Sequence, residues 1–146
     1  MDKVNFYMGR PVVKIDSDRT VLDTVKLMRE IEVGAILIRE NDEIVGIFTE
    51  SDLLRKVVAE GKSADSIKVS EVMSKPLVSV DVEEKMFKAF TEMHQHHFRH
   101  LGVTEDKKVV GVLSIKDIAK YYVNKVTKQK GGVAKEDPSK KEVDSE

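Results

Sequence analysis

Gly46-Ile47-Phe48-Thr49-Glu50-Ser51-Asp52 reads as an apolar strand running straight into a helix start, and sixty-five residues later Gly111-Val112-Leu113-Ser114-Ile115-Lys116-Asp117 reads the same way. Each stretch carries a glycine, then a hydroxyl side chain, then an aspartate, at the same spacing. Working outward, the same shift sets Pro11 on Pro76, Asp16 on Asp81 and Met28 on Met93 without a gap. The apolar positions follow it too, with Val21, Leu22, Val25 and Met28 falling on Met86, Phe87, Phe90 and Met93. A fixed period shared by turn, glycine and apolar positions marks a duplicated architecture. Two copies of one supersecondary unit usually pack about a pseudo-two-fold axis, and the seam between them creates paired clefts suited to ligands.

Each copy opens with an extended segment, Val12-Val13-Lys14-Ile15 or Leu77-Val78-Ser79-Val80, placed just after a proline that cannot sit inside a central strand. Asp16 and Asp81 mark the exit into a turn. Apolar residues at spacings of three and four then predict amphipathic helices over about 20–32 and 84–97. A hairpin follows in each copy. The first is Ala35-Ile36-Leu37-Ile38, a polar turn at Glu40–Glu43, and Ile44-Val45-Gly46-Ile47-Phe48; the second is Leu101-Gly102-Val103, a turn at Glu105–Lys108, and Val109–Leu113. Closing helices carry Leu53, Leu54, Val57 and Val58 in one copy, and Ile115, Ile118, Ala119, Tyr122 and Val123 in the other. Gly61 stops the first copy's last helix.

The expected fold is therefore mixed α/β (α+β), with two pseudo-symmetric β-α-β-β-α repeats packed as one compact module. Its expected divisions are a first repeat over 8–61, a linker and lead-in over 62–72, a second repeat over 73–127, and a disordered charged tail over 128–146. A chain of 146 residues holds one core of ordinary size, which is why both repeats are assigned to a single module.

Twenty-five basic residues against twenty-six acidic ones leave a formal charge of −1, so no basic field favours nucleic acid as a partner. The absence of cysteine excludes disulfides, thiolate ligands and cysteine nucleophiles. Neither a signal-like apolar run at Met1–Asn5 nor a stretch of roughly 20 apolar residues is present, so the expected setting is cytoplasmic, away from membranes.

An ionised aspartate offers two acceptor oxygens, which suit the adjacent hydroxyl donors of a ribose. A Ser or Thr at a helix start, with the unpaired N–H groups and dipole there, suits phosphate. Thr49 with Asp52 and Ser114 with Asp117 therefore form candidate nucleotide contacts. The same Ser/Thr-x-x-Asp pattern is also an ordinary N-terminal cap, and the two uses are compatible.

The element order, together with Val72-Met73-Ser74-Lys75-Pro76-Leu77-Val78-Ser79-Val80 and Gly46–Asp52, resembles the cystathionine β-synthase (CBS) domain family over about residues 8–126. Members carry the domain in pairs, called Bateman modules, which sense adenine nucleotides and often associate into dimers. By that resemblance, Thr49 and Ser114 contact phosphate or ribose, and Asp52 and Asp117 hold the ribose diol. Val13 and Val78 match positions lining the base pocket, while Gly34 with Ala35, and Arg99 with His100, match positions bordering the ligand. The resemblance implies a stand-alone regulatory protein that binds AMP, ADP or ATP. It would be a homodimer acting on a separate regulated protein.

Two other readings stand beside it: a homodimeric assembly module whose motifs only cap helices, and a sensor of S-adenosylmethionine or another adenosyl ligand. Gly34-Ala35 leaves room where Arg99-His100 places a cation and an imidazole, so the two sites are expected to differ, with Arg99 gripping a phosphate. His94, His96, His97 and His100 have spacings that pair on a helical face, but with no cysteine and a helix ending near His97 no metal site is expected. Gly61-Lys62-Ser63 lacks the glycine that a P-loop needs at position 56, where Lys56 stands. No nucleophile and base recur beside Asp52 or Asp117, so neither an enzyme nor a resident cofactor is expected.

Overall fold

The computed structural model of the chain describes residues 2–9 and 12–129. Pro11, and the expected tail from 130 onward, lie outside these residues; Lys128 and Gln129 belong to the last helix. The first repeat comprises β1 (Lys14–Asp16), α1 (Val21–Ile31), β2 (Ala35–Glu40), β3 (Glu43–Thr49) and α2 (Glu50–Asp52), which widens into a π-helix at Leu53–Val58. The second comprises β4 (Ser79–Asp81), α3 (Met86–His96), β5 (His100–Glu105), β6 (Lys108–Ser114) and α4 (Ile115–Gln129). The element order is the expected one, twice.

Each repeat builds a three-stranded sheet, β1-β2-β3 or β4-β5-β6, with the opening strand parallel to the middle one and the hairpin antiparallel. Both opening strands start two residues later than expected. Parallel pairing begins at Lys14 opposite Leu37 and at Ser79 opposite Gly102, so Val13 and Val78 precede the strands. Asp16 and Asp81 accordingly close strands and do not sit in the turn.

The hairpins turn on two residues, Asn41-Asp42 and Asp106-Lys107, all four with positive φ. That backbone matches the twist of the flanking strands, and Asn and Asp tolerate it best. Thr20 caps α1 by accepting the Asp23 N–H at 3.0 Å, whereas Lys85 opens α3 with no side-chain cap. Both helices end on a residue in the left-handed region, Glu32 (φ 59°) and His97 (φ 58°).

The residues form two compact units: Val13–Val78, and the described residues of Met1–Val12 with Ser79–Glu146. In the first unit the Val21 N–H donates to Ile67 O (3.0 Å) and the Val69 N–H to Arg19 O (2.8 Å). In the second the Met86 N–H donates to Asp2 O (2.8 Å) and the Val4 N–H to Glu84 O (2.8 Å). The period thus reaches back to Asp2, and the segment before each repeat's partner in sequence completes a fold. Contiguity along the chain and compactness in space divide it at different places.

Ile15, Val21, Met28, Ile36, Ile38, Phe48, Val57, Val69 and Val72 fill the first core. Val4, Val80, Met86, Met93, Leu101, Val103, Leu113 and Ile118 are buried in the second unit. Met28 and Met93 fill core space as expected. In and just after the widened part of α2, the Ala59 N–H donates to Leu54 O and the Lys62 N–H to Val57 O, each to the carbonyl five residues back. Val57 points into the core, while Leu54 and Val58 face outward.

Candidate functional site

The motif glycines are explained by a close backbone approach. A Cβ on Gly46 would lie 2.8 Å from the Ser74 carbonyl oxygen and 3.0 Å from Met73 Sδ; on Gly111 it would lie 2.7 Å from the Gly9 carbonyl oxygen. In the first unit Ile47 and Ser74 exchange backbone bonds at 3.0 and 2.8 Å, and in the second the Gly9 N–H donates to Val112 O at 2.8 Å. A short lead-in segment is thereby laid against the last strand beside each helix start.

At those starts the expected caps are present in both copies. Thr49 Oγ1 accepts the Asp52 N–H (3.2 Å), and Asp52 Oδ2 accepts from the Thr49 N–H (3.0 Å) and hydroxyl (3.2 Å). Ser114 Oγ accepts the Asp117 N–H (3.2 Å), and Asp117 Oδ2 accepts from the Ser114 N–H (2.8 Å) and hydroxyl (3.1 Å). Asp52 is only 5% exposed and Asp117 only 2%. A carboxylate is kept this deep only when its oxygens are met by donors.

Beyond the cap the two aspartates differ. Asp52 Oδ1 accepts the Ser74 hydroxyl at 2.8 Å and the Lys56 ammonium at 3.0 Å, and Lys56 also donates to Ser74 Oγ at 3.3 Å. The period puts Gly9 at the place of Ser74 and Tyr121 at that of Lys56. Tyr121 is buried, with its ring edge-on to Tyr7 at 5.4 Å. Burial, with Tyr121 adding, pushes the Tyr7 phenol above its ordinary pKa.

Gly34, Ala35, Thr49 and Asp52 are brought together: Ala35 lies opposite Thr49 in the ladder, and Gly34 O accepts the Glu50 N–H at 3.1 Å. Arg99, His100, Ser114 and Asp117 are brought together in the same way, with His100 opposite Ser114 and Arg99 O accepting the Ile115 N–H at 2.8 Å. The Arg99 side chain is exposed and forms no ion pair among the described residues. Val13 and Val78, both half-buried, lie in the Val13–Val78 unit, where Val13 O accepts the Leu37 N–H at 3.1 Å.

Lys56 and Ser74 escaped the sequence reading. Lys56 had a signal, since an acid four residues before a base on a helix pairs with it. Ser74, twenty-two residues from Asp52, had none beyond its place in the quoted lead-in segment. His94, His96 and His97 are exposed; His96 Nε2 lies 3.4 Å from Glu92 Oε1 and its ring stacks on Phe98. Among the described residues no three His, Asp or Glu side chains gather as metal ligands would. A separate open groove of about 600 Å³, lined by Asp2, Lys85, Phe87, Phe90, Tyr121, Tyr122 and Lys125, contains none of the expected site residues.

The chain belongs to the CBS domain family and carries the domain twice, at residues 4–59 and 69–124. It is 36% identical over 113 residues to the mitochondrial CBS domain-containing protein CBSX3 of Arabidopsis thaliana, covering 74% of this chain and 55% of that one. It is 30% identical over 134 residues to the CBS domain-containing protein YhcV of Bacillus subtilis, covering 92% and 93%. The chain thus spans little more than half of the plant relative. Among solved structures, a putative signal-transduction protein with CBS domains from Burkholderia ambifaria superposes with a TM-score of 0.76 at 34% identity, covering 79% of this chain and 85% of that one. The CBS domain pair of protein MJ0100, in complex with 5′-methylthioadenosine and S-adenosyl-L-methionine, shares the fold at 20% identity with a TM-score of 0.76, covering 84% and 97%. No helix among the described residues is long and apolar enough to cross a membrane.

Proposed function

We propose that the protein is a regulatory binding module for adenine nucleotides, AMP, ADP or ATP, held at the heads of α2 and α4. The observation that carries this reading is the chemistry at Asp52: a buried carboxylate anchored through Oδ2 by its own cap, with Oδ1 held by the side-chain hydroxyl of Ser74 and an ammonium. A ribose diol supplies hydroxyl donors of the same kind. Thr49 and Ser114, Gly34 with Ala35, and Arg99 with His100 surround the two aspartates and supply the remaining contacts. Binding of adenosyl ligands by the MJ0100 CBS pair supports the class of ligand. The protein acts by binding, through a ligand's different affinity for two states of the protein or its assembly, and passes the signal to a separate protein.

Titration calorimetry of AMP and ATP into the wild type, Asp52→Asn and Asp117→Asn tests this reading. Saturable binding that each substitution weakens by tenfold or more supports it; a folded wild type that binds neither nucleotide at millimolar concentration overturns it.

A second reading, assembly with a second copy through helical faces, is favoured by apolar side chains left exposed at the same register of both repeats. Val58 and Val123 are such a pair, joined by Leu54, Phe87 and Val126. A hexameric CBS-CP12 protein from cyanobacteria, 26% identical with a TM-score of 0.75, supports this reading. Sedimentation of wild type and Phe87→Ser distinguishes a self-associating face from a monomer.

A further inference from the structure

Lys56 is bound to Asp52 only from the solvent side. Its side chain is 43% exposed against 6% for the aspartate, so the ammonium can leave for water while the carboxylate cannot. A diol arriving at Asp52 Oδ1 needs the position that Lys56 and Ser74 now hold. A neutral ligand would replace the ammonium by hydroxyls and leave a buried carboxylate without a cationic neighbour, which is costly at low dielectric. A ligand that also bears a phosphate gives the displaced ammonium a new anion beside the site, so the cation stays close.

We infer that Lys56 determines ligand specificity at the first repeat, exchanging its bond to Asp52 for the phosphate of a nucleotide and so selecting phosphorylated adenosine over adenosine itself. The inference rests on the nucleotide reading above and concerns the first repeat. In the second repeat the matching positions are Tyr121, a buried phenol carrying no positive charge, and Gly9, which has no hydroxyl. Within its unit Lys56 lies within hydrogen-bond distance of the Asp52 carboxylate and the Ser74 hydroxyl.

The test compares AMP with adenosine by calorimetry in the Asp117→Asn background, with Lys56, Lys56→Met and Lys56→Arg. The first-site preference for AMP should fall about tenfold in Lys56→Met, the equivalent of one charge-assisted contact, and be kept in Lys56→Arg. Amide shifts of Thr49 and Ser114 report each site separately in the otherwise unaltered chain, so the comparison holds even where Asp117→Asn fails to fold. An unchanged preference with both ligands still bound overturns the role of Lys56 and leaves the nucleotide reading standing. Equal loss of both ligands in a folded Lys56→Met also overturns it, since Lys56 would then not discriminate. A wild type that binds neither ligand overturns the nucleotide reading and this inference with it.

Discussion

Asp52 and Asp117 begin as the same residue in the same cap and end in different company. Each accepts a backbone N–H and a hydroxyl at Oδ2 from the residue three positions back, and each is nearly fully buried. Around Asp52 the chain then supplies a second hydroxyl and an ammonium; around Asp117 the matching positions carry a glycine and a tyrosine. The cap is a property of the repeat and the surroundings are a property of each copy. What the duplication preserves is a helix start with a buried acid, and what it lets vary is the set of groups around that acid.

The strongest challenge to the preserved half is at the glycines. Gly46→Ala and Gly111→Ala each drive a methyl to within 3 Å of a backbone oxygen, which cannot yield as a flexible side chain would. Each should destabilise the protein by about 2–3 kcal/mol, and by similar amounts, in urea unfolding. A large gap between the two costs would show that the lead-in segments are not equivalent. The varied half is probed by Ser74→Ala, which removes a hydroxyl bonded to a charged group that also holds Lys56, at a cost of about 1.5 kcal/mol by the same measurement.

The helix starts sharpen the comparison further. Thr20 caps α1 while Lys85 leaves α3 uncapped, so Lys85→Thr should add about 0.5–1 kcal/mol and raise the melting temperature. No gain would mean that the bond from the Lys88 N–H to Lys85 O already satisfies the donor such a cap would take. The smallest expected effect is one of acidity. The hydrogen bond from Arg19 holds the Asp23 carboxyl below its ordinary pKa, with Arg19's charge and Thr20 adding to it. A lowered folded-state pKa gives stability that is present above the unfolded value and lost as pH falls through the folded one. Amide protection factors, taken against intrinsic exchange at each pH, should therefore fall in the first turn of α1 as pH drops through the acid range, with no matching loss at α3, where Lys88 holds the position.

Much of this was legible in the sequence because the repeat made every signal appear twice. Gly46 and Gly111, the two Ser/Thr-x-x-Asp pairs and both hairpins are local patterns with local causes. Boundaries set by pairing were less legible: Val12 and Val13 are as strand-prone as Ile15, and only the register with Leu37 starts β1 at Lys14. Contacts at long separation were hidden altogether. The Ser74 hydroxyl reaches Asp52 because residues 73–74 lie along β3, and no spacing rule announces that. The widening of α2 after Asp52 had no sequence signal either, since Leu53–Val58 reads as an ordinary amphipathic helix.

On the proposed function, the carboxylate of Asp52 is held ready for a ribose by donors that a nucleotide displaces. A crystal structure of the protein grown with AMP tests it most directly. Ribose hydroxyls are expected within hydrogen-bond distance of Asp52 Oδ1, with the Thr49 cap intact and Lys56 turned from the aspartate to the phosphate. AMP bound elsewhere, with Ser74 and Lys56 still on Asp52, would contradict it.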